Sequence, residues 1–132
     1  MRKATAKRQN GSYKHRVIVR EHTLTVDEPE DSGGEDAGPD PQEMLAVSLA
    51  SCVAITVEMY ARRKGWEIGD VECEVEYEPA QRGSPTKFKM VLNLPKELPQ
   101  DQRERLTQIA AKCPVHRTLE GEVMFEESVE LI

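Results

Sequence analysis

Asp40-Pro-Gln-Glu-Met-Leu-Ala-Val-Ser-Leu-Ala-Ser-Cys-Val-Ala-Ile-Thr-Val-Glu-Met-Tyr-Ala-Arg-Arg-Lys-Gly65 carries both the start and the stop signals of one long helix. Asp40 is an N-cap acid, Pro41 takes the first helical position, and Glu43 stands three residues after the cap, the spacing of a capping box. At the other end Arg62, Arg63 and Lys64 place cations where the helix dipole favours them, and Gly65 supplies a left-handed cap. Between these ends no residue from Met44 to Val57 is charged. Surface helices keep a polar face. A helix over 41–64 without one is expected to be buried on most sides, with Leu45, Leu49, Cys52, Ile55, Thr56 and Met59 marking its apolar stripe. The uncharged run is too short to span a bilayer, so no membrane role is expected.

Strand signals flank this helix. Tyr13, His15, Val17 and Val19 alternate with Lys14, Arg16 and Ile18, and Leu24 and Val26 repeat the period, which predicts a two-strand meander. Val71, Cys73, Val75 and Tyr77 alternate with Glu72, Glu74, Glu76 and Glu78. Phe88, Met90, Leu92 and Leu94 alternate with Lys87, Lys89 and Asn93. The Gly83-Ser84-Pro85 turn would join these two as a hairpin, glutamates facing lysines. Leu106, Ile109, Ala110 and Cys113 mark a helical face between Pro99 and Lys112. A short helical turn follows Pro114 as far as Gly121, and Val123, Phe125, Val129 and Leu131 predict a closing strand. The order ββ-α-ββ-α-β is an α+β fold with antiparallel sheet, in one domain over residues 1–132. Five short strands do not readily cover a helix that is apolar on most sides. A second copy contributing its own long helix, in an intertwined homodimer, would.

The net charge of −6 has a local origin. Residues 27–40 hold seven carboxylates and no cation, in a Gly- and Pro-containing stretch that reads as an acidic loop. The segment lacks the alternating ligand pattern of a calcium loop. Residues 1–10 are a basic tail or a first strand, with Arg2, Lys3, Lys7 and Arg8, and no apolar run follows them as it would in a secretory signal. The overall acidity and an aromatic content of 5% argue against nucleic acid as a partner. Three widely spaced cysteines do not form a secreted disulfide framework, so a reducing, cytoplasmic setting is expected.

Those cysteines are the side chains best suited to chemistry. Cys52 sits mid-helix on the apolar stripe, where a buried structural thiol is the ordinary reading. Cys113 lies at a helix end beside Lys112, His116 and Arg117, a setting that can favour a thiolate. Cys73 falls on the apolar face of a strand and reads as core. Cys113-Pro-Val-His116 has metal-ligand spacing, but a closed zinc site needs a second such pair and the chain has none. No cofactor is expected.

Gly38-Pro-Asp-Pro-Gln-Glu-Met-Leu-Ala-Val-Ser-Leu-Ala-Ser-Cys52 resembles the first cysteine motif of the OsmC/Ohr family, and Lys112-Cys-Pro-Val-His-Arg-Thr-Leu119 resembles the second cysteine motif of one branch of it. The element order agrees over roughly residues 10–131. The resemblance implies a swapped homodimer that reduces organic hydroperoxides, with Cys52 as the peroxide-reactive thiol and Cys113 as its resolving partner. An external dithiol, such as a lipoyl protein, would be the reductant. It also implies an activating Arg from the N-terminal strands, for which Arg16 and Arg20 are candidates with Arg8 behind them. The family's acid ten residues before the first cysteine is Gln42 here. Glu43 would take its place, or would serve only in the capping box. Two other functions fit the same residues: a ligand-binding module that kept the fold without catalysis, and a redox sensor using the cysteine pair without peroxide turnover.

Overall fold

The computed structural model describes residues 2–132. The chain divides into two compact units, one running up to Val47 and including Tyr77–Lys87, the other made of Ser48–Glu76 and Phe88–Ile132.

In the first unit β1 (Thr5–Arg8), β2 (His15–Val19) and β3 (His22–Val26) form an antiparallel sheet in that order. The basic tail therefore includes a strand, with Thr5 opposite Ile18 and Arg8 opposite His15. Arg20 and Glu21 form a two-residue hairpin loop that closes the Val19–His22 pair, and Arg20 takes φ 54, the left-handed conformation such loops demand.

The acidic stretch that follows is ordered around one carboxylate. Asp27 is 1% exposed, and its side chain accepts the backbone N–H groups of Glu28 (2.8 Å), Glu35 (3.2 Å) and Ala37 (3.1 Å). A single helical turn, Glu30–Ser32, lies within the loop. Gly34 passes so close to the Glu28 carbonyl that a Cβ there would come within 2.0 Å of it. Burial alone would push the Asp27 carboxyl up, but the three amides and Lys14 outweigh it and hold it below its ordinary value. A carboxyl whose folded pKa is depressed contributes its full stabilisation above the unfolded value of about 3.9, and that contribution fades as pH falls through the lower folded value. Acid titration below about pH 4 is therefore expected to loosen this loop. Asp27→Asn should flatten that acid dependence, which circular dichroism of the two proteins between neutral and strongly acidic pH would reveal.

The long helix α1 (Pro41–Lys64) begins and ends as its sequence prescribes. Asp40 N–H donates to Glu43 Oε1 at 2.9 Å and Glu43 N–H to Asp40 Oδ1 at 2.7 Å, a closed capping box. At the C-terminus Gly65 (φ 72) lets Trp66 N–H reach the Ala61 carbonyl and Gly65 N–H reach the Arg62 carbonyl, a Schellman cap. Burial departs from expectation. Only Leu49, Val53, Val57 and Ala61 are buried, a single row at four-residue spacing. Leu45, Ile55 and Met59, which the sequence places on the core stripe, are 40%, 53% and 62% exposed. With no charged residue to mark a wet side, periodicity cannot assign which face owns the core. By length and composition α1 would suffice to cross a membrane; its buried row anchors a core with other elements of the second unit.

That core adds Ile68, Leu98, Leu106, Ala110 and Cys113, with Cys52, Cys73, Val75, Phe88, Met90 and Leu92 packed against it. The strands β4 (Glu72–Glu78) and β5 (Lys87–Asn93) form a two-stranded sheet, each alternating exposed and half-buried residues as their sequences do. Helix α2 (Gln100–Ala110) buries Leu106, Ile109 and Ala110. It is tied to α1 by Arg105 Nε, which donates to the Tyr60 hydroxyl at 2.8 Å. Helix α3 spans Pro114–Glu120.

The expected closing strand does not form. Residues 122–132 have neither helix nor strand, and Phe125, Val129 and Leu131 are 82%, 89% and 97% exposed. Alternating apolar residues make a segment fit for a sheet, but alternation does not choose the strand it would pair with, and residues 122–132 join neither of the two sheets.

Candidate active site

Two of the three cysteines meet. Cys52 is half-buried in the middle of α1, a quarter-turn from the buried row at Val53. Cys113 is fully buried between α2 and α3. Pro114 starts α3 because its fixed φ suits the first helical position and its missing N–H costs nothing there. Cys113 is thereby left as the extended N-cap residue, and its sulfur accepts the His116 N–H at 3.2 Å, as a serine or aspartate oxygen would. The Cys52 side chain comes close enough to Cys113 to act on its thiol. Burial pushes the Cys113 thiol up, the amides of His116 and Val115 pull it back, and Cys52 raises it again, for a net upward shift. Cys113 is thus held as a thiol rather than a thiolate at neutral pH.

Cys73 is half-buried on β4 and packs against the same core, and burial followed by the charge of Glu74 raises its thiol too. The other sequence candidates lie in the first unit. Arg16 is exposed on β2, facing Thr25 across the ladder. Arg20 sits in the hairpin loop, 3.8 Å from the Glu21 carboxylate. The Glu43 carboxylate is engaged in the capping box. His116, the metal-spacing partner of Cys113, sets its ring Nδ1 against Glu120. Among the described residues no group of three or more His, Cys, Asp or Glu is placed to hold a metal ion.

Sequence reasoning assigned no chemistry to Thr56, whose hydroxyl lies 4.0 Å from the Cys52 sulfur. The signal for it is simple: a hydroxyl four residues after a helical cysteine shares its face.

The sequence profile of the OsmC-like protein family matches residues 33–128, well over half the chain and both cysteine contexts. The chain belongs to the OsmC-like protein family. Solved structures agree at the level of fold. An OsmC-like protein of Mycoplasma pneumoniae superposes with a TM-score of 0.76 at 20% identity, covering 92% of this chain and 88% of that one. An organic hydroperoxide resistance protein OsmC of Legionella pneumophila gives 0.67 at 22% identity, over 92% and 90% of the two chains. The organic hydroperoxide resistance protein OhrB of Bacillus subtilis gives 0.62 at 21% identity, over 92% and 91%. A comparison with curated protein sequences found no match. In this OsmC-like chain, then, two thiols from separate elements converge in a fold shared with proteins named for organic hydroperoxide resistance.

Proposed function

We propose that this OsmC-like protein is a thiol peroxidase that reduces organic hydroperoxides. The observation that supports this reading is the approach of Cys52 to Cys113, one half-buried and the other fully buried, close enough for Cys52 to act on the Cys113 thiol. Ionised Cys52 attacks the terminal oxygen of the hydroperoxide. The S–O bond forms, the O–O bond breaks, and the alkoxide leaves to take up a proton as the alcohol. Sulfur is oxidised by two electrons to the sulfenic acid while the peroxide is reduced by the same two. The Cys113 thiol then displaces water from the sulfenic acid, closing the Cys52–Cys113 disulfide. An external dithiol, such as a lipoyl protein, reopens it by exchange and leaves as its own disulfide. No bound cofactor takes part, and the cytoplasm is the compartment that would keep the resting thiols reduced. Arg16, Arg20 and Glu43 remain the proposed activating groups, Glu43 the weakest because its carboxylate is already occupied by the cap.

We propose further that the working form is a homodimer built on the outer face of α1, where Ile55 and Met59 stand exposed opposite the buried row. Apolar side chains of this size in one patch mark an association surface more often than a solvated one.

Cumene hydroperoxide added in equal amount to the reduced protein should remove two hydrogens from its intact mass and yield a Cys52–Cys113 crosslinked peptide. Excess peroxide should be consumed catalytically only with a dithiol present. A disulfide that forms but is never recycled would favour the redox-sensor reading, and an unchanged mass would overturn the peroxidase. The ligand-binding alternative draws on one feature, an apolar cleft of about 530 Å³ in the first unit lined by Tyr13, Val17, Leu24, Val26 and Met44 among others.

A further inference from the structure

The helical threonines of this chain do not all behave alike. Thr107 Oγ1 donates to the Arg103 carbonyl at 2.8 Å, and Thr118 Oγ1 to the Pro114 carbonyl at 3.0 Å. This is the usual back-bond of a helical hydroxyl to the carbonyl four residues earlier. Thr56 is also in mid-helix, four residues after Cys52, but its hydroxyl contacts the Cys52 sulfur, at 4.0 Å, in a half-buried setting.

Cys52 and Cys113 differ in what their surroundings can donate. Cys113 is an N-cap residue and receives the free N–H of His116. Cys52 lies deep inside a 24-residue helix, where the backbone N–H groups are consumed by the helix itself. A negative sulfur at Cys52 must therefore take its local hydrogen bond from a side chain. The Cys113 thiol is one donor, and it is lost when Cys113 is called on to attack. The Thr56 hydroxyl, on the same helix face, is a second that stays in place. Val53 and Val57, 1% and 0% exposed, pin the turn on both sides of it. A β-branched residue in a helix has few χ1 choices, so the hydroxyl is fixed at little further entropic cost.

We infer that Thr56 is a positioning residue for Cys52, its hydroxyl donating to the ionised sulfur and fixing the direction in which that sulfur meets the peroxide. The contact is long in the resting thiol. It shortens when the acceptor becomes a thiolate, because hydrogen bonds to charged acceptors are shorter and about twice as strong as neutral ones. Bonded to Thr56, the sulfur holds one rotamer along the helix face instead of sampling several. The inference rests on the peroxidase reading for its consequence, but its geometry belongs to the helix alone.

The test compares Thr56→Val, which removes the hydroxyl at nearly constant shape, with Thr56→Ser, which keeps it. Stopped-flow oxidation of the reduced full chain by cumene hydroperoxide should give a second-order rate constant about tenfold lower for Thr56→Val, equivalent to roughly 1.4 kcal/mol. Thr56→Ser should recover most of that loss, although its smaller side chain packs less well. A Thr56→Val protein as fast as wild type overturns the inference while leaving the peroxidase standing. A Thr56→Ser protein as slow as Thr56→Val also overturns it, since the methyl rather than the hydroxyl would then matter. If the wild type does not react with peroxide, the peroxidase reading fails on its own, and alkylation by iodoacetamide, followed at the Cys52 peptide by mass spectrometry, decides the role of Thr56. Slower alkylation in Thr56→Val restored in Thr56→Ser supports it, and equal rates in all three proteins overturn it.

Discussion

Cys52→Ser is expected to lower turnover of cumene hydroperoxide by at least about a thousandfold, roughly 4 kcal/mol of transition-state stabilisation. A serine hydroxyl at this position has neither the acidity nor the polarisability to attack peroxide oxygen, and the remaining thiol, Cys113, is fully buried and held protonated. Cys113→Ser should behave differently. Its first oxidation proceeds, but the sulfenic acid has no partner, so multiple turnover fails and excess peroxide carries Cys52 on to the sulfinic acid. Cys73→Ser should match the wild type, because Cys73 packs in the core without contributing to the cysteine pair. A coupled dithiol assay on the three variants, with intact masses before and after peroxide, separates these outcomes. A Cys52→Ser protein that still turns over would place the chemistry elsewhere. Equal multiple turnover in Cys113→Ser would remove Cys113 from the cycle.

The second large effect is on folding. Leu49 is 2% exposed and Ile55 is 53% exposed, although both lie on the same uncharged helix. Leu49→Asp places a charge among Val53, Val57, Leu106 and their neighbours. An uncompensated buried charge costs about 3–5 kcal/mol, a large part of the 5–15 kcal/mol that stabilises a typical domain. The variant is expected to be unfolded or close to it at room temperature by circular dichroism. Ile55 sits about 200° round the helix from Val53. Ile55→Asp should therefore keep the helical signal and melt cooperatively, while light scattering at micromolar concentration finds a monomer against the dimer proposed for the wild type. Loss of fold in Ile55→Asp would mean that the dimer and the fold are inseparable. A wild type that is monomeric would discard the dimer.

That contrast between Leu49 and Ile55 also marks where sequence reading stopped. Local signals carried far: the Asp40–Glu43 box and the Gly65 cap gave α1 its limits to the residue, because caps depend on chemistry within one turn. The bounds of β2 to β5 held within a residue or two for the same reason, although burial alternates only in β4 and β5. Cys52 and Cys113 were found through their motifs, and their meeting depends on α1 and α2 sharing the core around Leu106. The facing of α1 was not readable, since a helix apolar on every side presents the same sequence whichever side is covered. Nor was the fate of residues 122–132, whose alternation says that the segment suits a sheet but not whether or where it pairs. The ordering of the acidic loop was hidden as well. Seven carboxylates look interchangeable in a sequence, and which of them turns inward is a matter of backbone geometry.

That inward carboxylate should leave a signature in hydrogen exchange. Surface loops normally give up their amide protons quickly, because their N–H groups point at water. Glu28, Glu35 and Ala37 all donate to Asp27, which is itself almost wholly covered. None of these amides can be released fully without disturbing the acceptor that holds the others. They should exchange slowly for a loop, with similar protection, and lose it in a single event. The most highly charged segment of the chain would then open as one cooperative unit around a single side chain.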